Sequence, residues 1–526
     1  MAAGYGNTLA GQGLRQGDVC VILLPSGELA AYVTLGVLLL GAVPLLVAPT
    51  VIGGGLAGLP RLLKSIIRRT RAPIVVCADW LHEMRDELER GHRRTRFLFG
   101  LDDPVGVTEP DSLPVVLPRE DDVAAMQLTS GTTGQPRICV WNHRGILPAL
   151  DGMAAAMELS EEDVCFNWTP LYHDMGLVNN FLLCLTSGVP LALLNVEEFV
   201  KRPSLWMRGL SDTKATVSWS PNFGFALATH RVTDEDLEGI RLDHVRSLWN
   251  AAERIRLSTV LAFHKRYEPY GLRAEASRTN FGCAENIGGA TFSDPNGSFA
   301  VEYLDVTLLQ EKGIARTVSA GSDSYRENPI VSVGRPNPGI QVLIQSRVGN
   351  TLPDGHVGEI TLQTPSRMQG YLGEARATQR ALRGELLRTG DLGYLRGGDL
   401  FWVGRVKERI NIRGQKLDPS DFEAVLFAVE GLREGCFVAF GTDDAEQGTQ
   451  RLVIVAEVRE PLRRQLDEIS KEIVKQCFLT LGVTVSEVLL VGPRTLPKTS
   501  SGKRRHRHCH RLYAQGRLNP YAERSD

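Results

Sequence analysis

No Cys-x-x-Cys pair occurs anywhere in the 526-residue chain, and its nine cysteines are scattered singly along it. That spacing excludes an even, tight disulfide framework and points to the reduced thiols of a cytoplasmic protein, most of them buried as small hydrophobes. An excess of one charge is also missing: 59 Lys and Arg stand against 61 Asp and Glu, a formal net charge of −2. So balanced a chain offers no bulk attraction to nucleic acid or to an anionic membrane. Residues Met1 to Gln16 lack the basic start and apolar core of a signal peptide, so no leader is expected. One long apolar run stands out, Leu29 to Pro49, nearly long enough to cross a bilayer. Pro44 interrupts it and no basic stop-transfer cluster flanks it. It is predicted to be a buried helix through Gly41 and a buried strand, Val43 to Val47, with no membrane span.

What is present fits a globular protein of more than one domain, with 43% hydrophobic and 23% charged residues. Apolar runs of strand length, such as Val19 to Leu24 and Pro73 to Cys77, alternate with helix-length segments, which predicts α/β layers. Leu352-Pro353-Asp354-Gly355-His356 reads as a turn between strands. The character of the chain changes just after Val403 to Lys407. Beyond it come a strand-like run, Leu452 to Val458, an amphipathic helix around Arg463 to Phe478, and a basic tail. The expected organisation is a large layered N-terminal domain, 1–406, and a small C-terminal domain, 407–526.

The segment Thr129-Ser130-Gly131-Thr132-Thr133-Gly134-Gln135-Pro136-Arg137 follows an apolar stretch, Val123 to Leu128. Glycines 131 and 134 let backbone N–H groups converge on an anion, and the hydroxyls around them suit phosphate oxygens. A plain Ser/Thr/Gly turn is the structural alternative. A Walker A loop is absent, because no G-x-x-x-x-G-K-[ST] occurs. This segment resembles the phosphate-binding signature of the adenylate-forming superfamily, which holds acyl-CoA synthetases, peptide-synthetase adenylation domains and luciferases. Phe281-Gly282-Cys283-Ala284-Glu285, Arg388-Thr389-Gly390-Asp391, Gly404-Arg405-Val406-Lys407 and Pro497 to Lys503 follow in the superfamily's order. Within it the chain is most similar to fatty acyl-AMP ligases, through Pro170 to Gly176, Pro221-Asn222-Phe223 and Asn250-Ala251-Ala252-Glu253. Set against that family the chain starts late.

The resemblance implies a fold, an α/β adenylation domain followed by a small hinged α+β domain. It also implies a reaction: ATP and Mg2+ convert a carboxylic acid to acyl-AMP, and the acyl group then passes to a thiol of CoA or of a phosphopantetheinyl carrier protein. Lys503 matches the catalytic lysine, a point charge that can reach both carboxylate and α-phosphate. Glu285 matches the magnesium ligand. Thr129, Ser130, Gly131, Thr132, Thr133 and Gly134 would hold phosphate. Phe281, Gly282, Ala284, Ala252 and Glu253 would border adenine, and Asp391, supported by Arg405, would accept from the ribose hydroxyls. His173, with Asp174 and Met175, corresponds to the acyl entrance and is also assigned a catalytic role. Trp219 and Ser220 correspond to the acyl channel, where an indole either narrows a straight channel or packs under the pocket. Lys407 corresponds to the hinge about which the C-terminal domain exchanges Lys503 for the loop around Arg413 to Lys416.

Some positions depart from the pattern. Arg137 replaces a lysine, Ile138 a glycine and Arg254 a proline. The long segment from Val301 to Pro329 stands where the family carries an insertion thought to hinder CoA-dependent chemistry. The basic stretch Lys503 to Arg511 is either a docking face for an acidic carrier protein or a solvated helix face. Three functions are therefore weighed: an acyl-AMP ligase loading a carrier protein in natural-product biosynthesis, an acyl-CoA synthetase, and a nucleotide-binding protein without catalysis.

Overall fold

A computed structural model describes residues 1–49, 58–101, 116–129, 136–319, 329–406, 408–412, 415–427, 429–444, 449–459, 465–499 and 504–521. In the first large sheet the strands Val43–Leu46, Val19–Leu23, Ile74–Cys77 and Arg96–Phe99 lie side by side in parallel. The first three are buried along their whole length, as continuous apolar runs covered on both faces must be. Val123–Thr129 and Arg137–Asn142 extend this sheet as an antiparallel pair, with the residues expected to hold phosphate between them. Ile138 is fully buried and faces Leu128 across that pair, so it serves the sheet. The apolar run becomes a helix, Glu28–Leu39, and a strand, Val43–Leu46, as expected. Among the described residues no helix is long and apolar enough to cross a membrane. All nine cysteines are free, and all but Cys283 are buried.

The second large sheet sets the site. Cys165–Asn167, Val217–Pro221, Ser247–Ala251 and Ser277–Cys283 run parallel, so their carboxyl ends share one edge. Asn222, Ala252 to Arg256 and Ala284-Glu285 follow directly from those ends, where open parallel sheets bind ligands. A third, mainly antiparallel sheet carries the hairpin Leu386–Arg396 and Asp399–Arg405. The turn at Leu352 to His356 joins its strands Gln341–Gln345 and Gly358–Gln363.

The C-terminal part has its own core, including Phe422, Phe437, Ile454, Ile469 and Ile473. Helices Pro419–Leu426 and Leu466–Leu481 and a three-stranded sheet enclose it. Two of those strands, Leu432–Asp444 and Glu487–Val491, correct the sequence expectation of a single strand-like run. In the longer one, Arg433, Glu434 and Gly435 break the apolar alternation, and the register shifts between Leu432 and Phe437. Such a bulge hides a strand from pattern reading.

Candidate active site

Asp391 and Arg405 face each other across the third-sheet hairpin. Arg405 Nε donates to Asp391 Oδ1 at 3.0 Å and Trp402 Nε1 donates to the same oxygen at 3.3 Å. Burial raises the Asp391 carboxyl above its usual range against the pull of Arg405, whereas the carboxylate raises the guanidinium's own value. The pair is ionised: a guanidinium holds its proton and its contact is the shortest one the carboxylate makes. Both donors take Oδ1, which leaves Oδ2 as the acceptor for a diol.

Phe281 and Gly282 sit at a bulge of Ser277–Cys283. A Cβ on Gly282 would come within 2.3 Å of the Gly288 carbonyl, so only glycine fits there. The strand ends in a short 3-10 turn, Ala284–Asn286, that presents Glu285. Tyr371 donates its hydroxyl proton to Glu285 Oε1 at 2.6 Å, and burial, then the Glu285 charge, pushes the phenol's pKa up. Trp141 Nε1 donates to the Ala284 carbonyl at 2.8 Å. Arg137 lies over the Tyr371 ring and pairs with Glu374 at 3.1 Å, and Arg69 pairs with the other oxygen of Glu374 at 3.0 Å. The arginine that replaces a lysine is thus held as a planar group, which an ammonium would not reproduce. Glu285 keeps one oxygen beyond the Tyr371 contact, and a lone carboxylate with substrate phosphates is the usual way magnesium is bound. With Glu285 as the magnesium ligand that the family resemblance implies, Tyr371→Phe is expected to raise the magnesium concentration needed for half-maximal activity roughly tenfold or more, the size of effect of a lost partner to such a carboxylate. An unchanged magnesium titration would separate Glu285 from the metal.

Ala252 adopts φ 69°, a left-handed conformation rare for a residue with Cβ. It turns the chain so that Glu253 Oε1 accepts from Phe223 N at 2.6 Å. Helix Asn222–Arg231 begins after a proline that offers no side-chain cap, so Glu253 caps it from a neighbouring loop. Arg254 then reaches the C-terminal part, donating to Ser420 Oγ at 3.0 Å and pairing with Asp421. Arg256 stacks on Phe427 and donates to the Ser420 carbonyl at 3.3 Å. Burial and the nearby Arg504 lower Arg256 to about 10, so it stays charged at neutral pH.

A cavity of about 210 Å³ lies where these elements meet. Ala252, Glu253, Phe281, Gly282, Asp391 and Arg405 line it from the N-terminal side, and Ser420, Glu423, Thr499, Arg504 and His506 from the other. Glu423 accepts from Arg504 and His506 at 2.6 Å each. Burial opposes the ionised forms, but Arg504 and His506 outweigh it at Glu423, which is lowered, and Glu423 outweighs it at His506, which is raised. Sequence reasoning missed Tyr371, Trp402, Arg256, Glu423, Arg504 and His506. Their signal is long-range; Tyr371 and Glu285 are 86 positions apart.

Several expected residues lie elsewhere. Thr129 ends its strand, whereas Ser130, Gly131, Thr132, Thr133, Gly134, Lys407 and Lys503 are outside the described residues. His173, Asp174 and Met175 form a local cap in which His173 Nδ1 lies 2.6 Å from Asp174 Oδ1. That contact places the ring proton on Nδ1, so the Met175 N–H, 3.2 Å from Nδ1, donates to Asp174 Oδ1 at 2.9 Å. Gly176 closes the motif, and a Cβ there would meet the Pro170 carbonyl at 2.2 Å. Ser220 turns its hydroxyl onto the Pro221 carbonyl. Trp219 is 1% exposed, stacked on Trp249 and edge-on to Phe292, and it does not line the cavity.

A family model described as AMP-binding enzyme matches residues 1–372. A 4-hydroxyphenylalkanoate adenylyltransferase of Mycobacterium marinum is 29% identical over 524 residues, which cover 94% of this chain and 82% of the relative. A medium-chain fatty-acid ligase of Moorena producens, named for its acyl-carrier-protein acceptor, is 28% identical over 483 residues, 89% of this chain and 80% of the relative. A structure from work on fatty acyl-adenylate ligases of E. coli and L. pneumophila superposes with a TM-score of 0.88 at 25% identity, covering 98% of this chain and 91% of that one.

Proposed function

Because the chain belongs to the AMP-binding enzyme family, we propose that it joins a carboxylic acid to the α-phosphate of ATP, releases pyrophosphate, and transfers the acyl group from acyl-AMP to the thiol of a carrier protein. The observation that carries this reading is the cavity itself, in which an aromatic face, a buried carboxylate and a rim of arginines meet between the two parts of the chain. Phe281 offers its ring to adenine, Asp391 Oδ2 accepts from the ribose, and Arg405 holds that carboxylate in place. An acid attacking a phosphate brings two anions together, so catalysis here is positioning and charge neutralisation. Glu285 would hold magnesium, which would supply positive charge to offset that of the phosphates. Lys503 supplies the moving positive charge; its neighbours Thr499 and Arg504 both line the cavity.

The carrier-protein acceptor is favoured over CoA by one contact. Helix Val306–Lys312, within the segment assigned to the family insertion, packs against strand Gln415–Leu417. That strand includes the end, Gln415 and Lys416, of the loop expected to enter the site for thiol transfer. The relative from Moorena producens, named as a carrier-protein ligase, points the same way. ATP–pyrophosphate exchange and hydroxamate formation across a panel of carboxylic acids test the first step. ATP binding without exchange for any acid would leave a nucleotide-binding protein.

A further inference from the structure

On the C-terminal side of the cavity stands a cluster of charged groups outside the contacts assigned to ATP and the acid. Its centre is Glu423, which is only 1% exposed. Arg504 lies 2.6 Å from one carboxylate oxygen, and His506 Nε2 lies 2.6 Å from the other. The second ring nitrogen of His506, Nδ1, stands 3.8 Å from Glu408 Oε2. That separation is too long for a hydrogen bond, so Glu408 attracts the ring only while the ring is charged. Arg256 completes the set from the N-terminal side, lowered by burial and by Arg504 yet still a cation at neutral pH.

The cluster joins elements that the core keeps apart. Helix Pro419–Leu426 packs with Phe437 and Ala439, whereas helix His506–Ala514 sends Cys509 against Val438 and Phe440. Successive residues of a strand face opposite ways, so the two helices cover opposite faces of the three-stranded sheet. Glu423 and His506 link them. Glu408 directly follows Lys407, the expected hinge residue, and its N–H donates to the Arg405 carbonyl at 3.2 Å. Arg504 directly follows Lys503, bridges to Lys498, and is followed by Arg505, whose N–H donates to the Pro497 carbonyl at 3.1 Å. One buried carboxylate therefore anchors the chain immediately after Lys503, and one imidazole connects that anchor to the hinge.

We propose that Glu423 and His506 are positioning residues for acyl-AMP formation, and that the charge on His506 makes this step pH-dependent. With the ring protonated, Arg504 and His506 both hold Glu423, and Glu408 draws the same ring toward the hinge. When the proton leaves, the Glu423 contact falls to a neutral hydrogen bond and the attraction of Glu408 is lost. Burial and Arg504 oppose the charge on His506, but Glu423 and Glu408 outweigh them, so the ring's pKa is raised. The positioned form is thus complete at low pH and is lost as pH rises through that raised value. This inference rests on the acid-activating reading above, with Lys503 as the charge being placed. Its test is the pH profile of kcat in ATP–pyrophosphate exchange by the intact protein. His506→Arg, which carries a charge that does not titrate, is expected to abolish the alkaline decline of the native profile. His506→Gln is expected to lower exchange about tenfold below the His506 titration and to match the native protein above it. A merely structural loss would persist at every pH. In proton NMR the His506 ring, identified by its absence from His506→Gln, is expected to titrate above an ordinary imidazole, and lower in Glu423→Gln. The same alkaline decline in His506→Arg, or a ring that titrates at the ordinary value, overturns the proposal. Exchange with no acid at any pH, beside a ring that titrates high, would instead overturn the acid-activating reading on which the role depends.

Discussion

Replacing Lys503 by alanine is expected to slow acyl-AMP formation by about a thousandfold or more, while thiol transfer from supplied acyl-AMP continues. The size follows from what a positioned charge contributes in a water-poor site, about 3–4 kcal/mol for one stabilising group. The selectivity follows from the domain rotation that the family resemblance implies, in which this lysine leaves the site before the second step. The described residues on either side support the assignment. Lys498 and Arg504 form an antiparallel bridge, and Arg505 N donates to the Pro497 carbonyl at 3.1 Å, so the two ends of the intervening segment are held together. Glu423 then fixes Arg504 and His506 against helix Pro419–Leu426. Pyrophosphate exchange and single-turnover transfer, measured separately, check both halves. Near-normal exchange by the variant would remove Lys503 from the chemistry.

The second large effect concerns the acceptor. With CoA as the only thiol, acyl-AMP is expected to accumulate; adding the cognate holo-carrier protein should consume it. Helix Val306–Lys312 is capped by Asp305, whose Oδ1 accepts from Leu308 N at 3.1 Å, and the segment is tied to the third sheet by Tyr394, which donates to Glu302 at 2.8 Å. From there it packs against Gln415–Leu417, and under the proposed reading this contact opposes rotation of the smaller domain. Each 1.4 kcal/mol of such opposition lowers the rotated population about tenfold. A carrier protein can offset it over a wide interface, whereas CoA offers few contacts. Removing 306–312 should therefore raise CoA turnover at least tenfold and leave pyrophosphate exchange as it was. Rapid acyl-CoA formation by the intact protein, matching the exchange rate, would instead identify a CoA ligase.

The residues that line the cavity from the N-terminal side were legible where they belong to short signatures that resemble the family's. Asp391 and Arg405 belong to separate short signatures, yet a hairpin register pairs them. Phe281 and Gly282 were visible through resemblance to a family signature, to which the structure adds the bulge against Gly288 that tolerates only glycine at 282. The alternating layers were visible because buried parallel strands are continuously apolar. Contacts between distant segments were not. Arg254 could be seen only as a departure from proline; its partner Asp421 lies 167 positions away. Trp219 could be placed in a strand, but which neighbours stack on it depends on how Ser247–Ala251 and Gly288–Phe292 assemble.

The loop from Ala252 to Arg256 touches the nucleotide cavity along one side and helix Pro419–Leu426 along the other. Under the proposed reading, one short piece of backbone, strained at Ala252, belongs to both contacts at once. Thermodynamic linkage then makes them reciprocal: whatever seats the small domain tightens the grip on nucleotide by the same factor that nucleotide tightens the seat. Domain opening and release of AMP become a single event viewed from two sides. Under that reading, the contacts of Arg254 with Ser420 and Asp421 delay the reset until the adenylate has been spent.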